Sequence, residues 1–148
     1  LMARRARPAK EKVSKRVSVE QHLREMGYLT ADPPEVRWVP TKDTLKNKLE
    51  RDYWEHLEEL RLAGEIIDFR YERIAFILGH DCRFFPDFLV IYPDGRITLH
   101  EVKGFMEEDA RVKLKTFASL FPYFPLYLVT RERANARWKV ERVKPLTR

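Results

Sequence analysis

The chain has 148 residues, of which 44% are hydrophobic, 12% aromatic and 35% charged, a balance that supports a packed core and excludes a disordered or low-complexity protein. The length fits one compact domain with tails, and therefore one active site. The net charge of +6 is uneven: residues 1 to 17 carry seven Lys and Arg against Glu11, residues 131 to 148 carry seven against two acids, and residues 18 to 130 sum to −5.

Basic ends around an acidic centre suit a polyphosphate partner that meets the centre through a cation, although basic tails also serve mere solubility. The one cysteine, Cys82, excludes an internal disulfide, and no Cys/His spacing suggests structural zinc. An intracellular, cytoplasmic protein is expected. No apolar run approaches the roughly 20 residues of a membrane helix, and the basic start is not followed by the apolar stretch of a secretory signal, so a soluble protein without a membrane partner is expected.

In chain order, residues 1 to 17 lack periodicity and read as a basic disordered tail. Val19 to Met26 predicts a short helix ending at Gly27, and residues 30 to 40, with Pro33, Pro34 and Pro40, a connector. Asp43 or Thr44 can cap a helix whose apolar positions Leu45, Leu49, Tyr53, Leu57 and Leu60 recur every three or four residues, with Gly64 placed to end it. Three β-rich runs follow: Ile66 to Leu78, Arg83 to Tyr92 and Ile97 to Val102. Pro93-Asp94-Gly95-Arg96 has strong turn chemistry and makes a hairpin of the last two.

Glu107, Glu108 and Asp109 suit the positive end of a helix, in which Ala110, Leu114, Phe117 and Phe121 share a face. Leu126 to Thr130 has strand length, and Trp138 to Val143 alternates like an edge strand. This order of helix, three strands, helix, strand and strand predicts an α/β sandwich with a mixed sheet flanked by helices.

Charges interrupt the apolar strands at one place. Asp87 directly precedes Phe88-Leu89-Val90-Ile91-Tyr92, and Glu101 and Lys103 sit in and after the partner strand. Residues two apart on a strand share a face, so Glu101 and Lys103 can meet Asp87 across the hairpin. On the preceding helix Glu50 lies about 20° from Leu57 at the edge of the apolar stripe. Glu55, Glu58 and Glu59 point further away. Crowded carboxylates repel unless a cation holds them, and an all-oxygen site suits Mg²⁺, with Mn²⁺ able to substitute.

Pro86-Asp87, thirteen intervening residues and then Glu101-Val102-Lys103 resemble the PD-(D/E)-x-K nuclease superfamily. Lys48-Leu49-Glu50, Ala63-Gly64-Glu65-Ile66, Pro86-Asp87-Phe88-Leu89-Val90 and His100-Glu101-Val102-Lys103-Gly104 resemble its phage-type branch related to Holliday-junction resolvases, over about residues 45 to 130. The resemblance implies a restriction-endonuclease-like core of helix, three strands, helix and strand. It implies metal binding by Asp87 and Glu101, with the Val102 carbonyl as a further ligand, Glu50 as the helix-borne acid and a further metal ligand, and Lys103 orienting or deprotonating the attacking water.

The expected function is a Mg²⁺-dependent endonuclease that resolves four-way DNA junctions as a homodimer, because two symmetric nicks need two active sites. A phage origin and action inside the host cell follow from the same resemblance. The alternatives are another nuclease of this superfamily, in repair, restriction or transposition, or a DNA-binding module without catalysis. The expected organisation is a basic tail over 1–17, a short helix and connector over 18–40, and a nuclease domain with a basic C-terminal segment over 41–148. Arg4, Arg5, Arg7 and Lys10 in the tail, and Lys113 and Lys115 in the second long helix, are candidate DNA contacts, the last two equally a solvated face. His56 and His100 read as structural histidines, Cys82 as a buried or half-buried thiol, and Trp38, Trp54 and Trp138 as packing residues.

Overall fold

The computed structural model describes residues 18–27 and 44–147. The chain divides into two units, Leu1–Val39 and Pro40–Arg148. In the first, helix α1 (Val19–Glu25) is capped by Ser18, whose hydroxyl accepts from the Gln21 N–H at 3.1 Å. The basic tail with Arg4, Arg5, Arg7 and Lys10, the proline-rich connector, Trp38 and Asp43 lie outside the described residues.

In the second unit, helix α2 (Lys48–Leu62) begins three residues later than the periodicity predicts. Thr44 does not cap it. Asn47 does, its side-chain oxygen accepting from the Glu50 N–H at 2.9 Å. Leu45 is buried in the preceding turn, which extends the four-residue spacing beyond the helix itself. Ala63 is the C-cap, and Gly64 at φ +77° takes the left-handed conformation that ends helices without a Cβ clash.

The run from Ile66 to Leu78 is two strands, β1 (Asp68–Tyr71) and β2 (Phe76–Gly79), separated where Glu72 adopts φ +42° and the chain changes sheet. The run from Arg83 to Tyr92 is likewise β3 (Cys82–Phe84) and β4 (Phe88–Ile91). The interruption contains Pro86, which has no N–H to give a ladder. Next come β5 (Ile97–Val102), helix α3 (Glu108–Leu120), β6 (Leu126–Thr130) and β7 (Lys139–Arg142).

The fold is α/β. Five strands form a mixed sheet in the order β1-β4-β5-β6-β7, in which only β5 and β6 are parallel, and β2 and β3 form a separate two-stranded sheet. β4 and β5 pair as the predicted hairpin, with Gly95 at φ +84° in its turn. The long crossover between β5 and β6 contains α3, as parallel pairing requires.

Opposite faces of the sheet receive the two long helices. Toward α2 lie Phe69, Tyr71 and Phe88, with Tyr53 of the helix edge-on to Phe88 at 5.5 Å and Trp54 edge-on to Phe69 at 5.7 Å. Toward α3 lies a cluster of Phe76, Phe84, Leu99, Leu114, Phe117 and Leu126. Phe117 is fully buried among Phe76, Phe84 and Phe121, a burial that contributes about 1.5–3 kcal/mol. Among the described residues, no helix is long and apolar enough to cross a membrane.

Candidate active site

Strand register brings the site together. The β4–β5 ladder pairs Phe88 with His100, so one further step sets Asp87 opposite Glu101. Leu99 faces α3, and by alternation Glu101 and Lys103 face the same way. The Asp87 carbonyl accepts from the Glu72 N–H at 2.9 Å, and its Oδ2 accepts from the Val102 N–H at 2.8 Å. The Lys103 N–H reaches the Val129 carbonyl at 2.9 Å, so the motif backbone is held on both sides. Lys103 Nζ lies 2.9 Å from Glu101 Oε1.

The two carboxyls are buried, Asp87 to 3% and Glu101 to 6% exposure. Burial, then the charge of Glu101, pushes the Asp87 carboxyl up to about 8, against the Val102 N–H and Lys103, which favour ionisation. Burial likewise raises Glu101, which its bond to Lys103 and the nearby Asp87 backbone N–H only partly offset. For Lys103 burial acts downward, but the bond to Glu101 and the charges of Glu101, Asp87 and Glu50 prevail and raise it, so it stays an ammonium at neutral pH. Among the described residues, Glu101 Oε2 is buried with no hydrogen-bond partner.

Glu50 is buried, as its azimuth implied, and near enough for its charge to raise both carboxyls. Its own oxygens are engaged. Oε2 accepts from the Tyr71 hydroxyl at 2.7 Å and the Lys46 N–H at 3.3 Å, and Oε1 from Asn47 Nδ2 at 3.0 Å. With its backbone N–H on Asn47, it forms a reciprocal cap of α2. Lys46 forms a tight ion pair with Glu72, which together with the charges of Asp87 and Glu50 raises the lysine despite partial burial.

Tyr71, Lys46, Asn47 and Glu72 carry no signal in the sequence, because a strand tyrosine and turn residues stand out from no pattern. Of the other expected residues, Lys113 and Lys115 are exposed on α3, and Lys115 lines a groove with Arg111, Arg142 and Lys144. His100 is structural as read: Nδ1 and Nε2 lie 2.7 and 2.9 Å from the hydroxyls of Tyr53 and Thr98. His56 is half-buried beside Tyr53 and Trp138. Cys82 is exposed rather than buried, because β3 places it at the outer end of the small sheet.

Among the described residues, no three His, Cys, Asp or Glu side chains converge enough to hold a metal by themselves. The donor chemistry nonetheless fits a hard divalent cation: two buried, mutually repelling carboxyls, one with an oxygen lacking a partner, at a site where backbone carbonyls can complete an oxygen shell. No protein-family model, curated protein or solved structure matches the chain significantly.

Proposed function

We propose that this protein is a metal-dependent DNA endonuclease, with a restriction-endonuclease-like core, that resolves four-way junctions as a homodimer. The observation that carries the reading is the buried Asp87–Glu101 pair with a partnerless Glu101 oxygen beside an ammonium. A soluble protein has little reason to keep two like charges so buried unless a cation joins them. Asp87, Glu101 and the Val102 carbonyl would hold Mg²⁺ or Mn²⁺, with Glu50 behind them adding negative charge and fixing the start of α2. The bound ion would supply Lewis-acid stabilisation of charge on the phosphate oxygens.

Lys103, kept protonated by its acidic neighbours, orients the attacking water and stabilises the same developing charge. Asp87 is itself held by the Val102 N–H, so its carboxyl would meet the ion from a fixed position. Incubation with Mg²⁺ and a labelled four-way junction, beside linear duplex and an Asp87→Ala control, tests the proposal. Paired symmetric nicks in the junction alone, lost in the control, are expected. Cutting of both substrates would make it a general nuclease of the same chemistry, and binding without cutting would favour a non-catalytic DNA-binding module. A strictly monomeric protein on DNA would overturn the dimer.

A further inference from the structure

Parallel strands tend to present ligand sites beyond their carboxyl ends, and β5 and β6 are the parallel pair of this sheet. A groove of about 490 Å³ lies there, lined by Gly104, Thr130, Arg131, Glu132, Arg137 and Lys139 among others. It adjoins the candidate active site through the chain itself: Gly104 follows Lys103, whose N–H is bonded to Val129 next to Thr130. We propose that this groove seats the phosphodiester backbone flanking the scissile phosphate, with Arg137 and Lys139 as its phosphate contacts. This inference rests on the nuclease reading above.

Charge argues for that occupant. A polyanion approaching Asp87 and Glu101 meets the acidic part of the chain, and needs fixed cations beside it. The segment from Arg131 to Lys139 offers four basic residues against Glu132. Arg131 is only 11% exposed on its side chain, gripped by Asp52 of α2 and lying 4.4 Å over the Trp138 ring, so it braces the groove from the α2 side and leaves phosphate contact to its neighbours. Among the described residues, Lys139 pairs with exposed Glu141 at 3.0 Å, a surface pair of small worth that a phosphate can displace. Arg137 is exposed on the same rim.

The register of β7 supplies a matched control. Lys139 pairs with Thr130 at the site end, whereas Arg142 pairs with Tyr127 at the other. Binding of a labelled junction to the full-length chain carrying Asp87→Asn, which prevents turnover, is measured by fluorescence anisotropy across a salt series. Adding Arg137→Gln with Lys139→Gln is expected to make the salt slope shallower by about one to two, since each lost phosphate contact removes roughly 0.9. Adding Arg142→Gln with Lys144→Gln, at and beyond the other end of β7, should change the slope by less. In the otherwise wild-type chain, the first pair should raise KM and spare kcat. Equal slopes for both pairs, or no change with the first, would overturn the groove while leaving the nuclease reading intact. Failure of the Asp87→Asn chain to bind any DNA would overturn both.

Discussion

His100 and Glu101 are neighbours on β5, both almost wholly buried, on opposite faces of one strand. On the α2 face, His100 has both ring nitrogens met by hydroxyls, and burial depresses it to about 4, so it is a neutral, satisfied core group. On the α3 face, Glu101 meets the Lys103 ammonium, repels the Asp87 carboxyl and, among the described residues, leaves one oxygen without a partner. Equal burial with opposite degrees of satisfaction separates a residue that holds the fold together from one retained for another purpose.

The largest expected effect tests that contrast through catalysis. Lys103→Ala should lower single-turnover junction cleavage by about 100- to 1000-fold, the usual loss when one charge-stabilising donor is removed. His100→Gln, measured alongside, should lose far less, and equal losses would break the comparison. Stability should respond in the reverse order. Tyr53→Phe deprives the buried His100 ring of its partner and should cost about 1–3 kcal/mol in denaturant titration.

Asp87→Asn, by contrast, should raise the melting temperature by a few degrees in chelating buffer at neutral pH while abolishing cleavage. The amide keeps an acceptor for the Val102 N–H and removes a charge that burial and Glu101 oppose. Asp87's folded value lies above its unfolded one, so its burden is absent in acid and grows as pH rises toward about 8. A melting temperature that fell in this variant would show the pair to be stabilising.

The smallest effect is a slope. His100 has its folded value depressed from 6.5 to about 4, so the stability it contributes is present above 6.5 and is lost as pH falls through that window. Asp87 acts in the opposite sense there, and only the difference between wild type and His100→Gln isolates the histidine. That difference should shrink from pH 7 toward pH 4, as followed by urea unfolding. A difference independent of pH would mean that the buried ring does not titrate.

Much of this arrangement was legible because charges in apolar strands violate a simple alternation. Asp87, Glu101 and Lys103 could be set on one face by counting in twos, and Glu50 assigned to the core edge by counting in hundreds of degrees. Less legible were places where the chain keeps an apolar pattern while changing structure. Ile66 to Leu78 reads as one run because Ile74 and Phe76 continue it past Glu72, where the backbone in fact leaves the main sheet. Leu45 continues the helical spacing from a turn, which hid the capping role of Asn47. The bond from Tyr71 to Glu50 and the grip of Asp52 on Arg131 join residues far apart in sequence, and no local pattern encodes them.

Cys82 bears on how self-association can be measured. It is the chain's one thiol and stands exposed on β3, so a disulfide within this chain cannot form and any oxidative crosslink must join two copies. A dimer seen without reductant could therefore be a chemical artefact on the small sheet, unrelated to junction cleavage. The same thiol gives a single attachment point for a fluorophore, outside the candidate active site, from which subunit exchange and DNA approach can be followed without altering Asp87, Glu101 or Lys103.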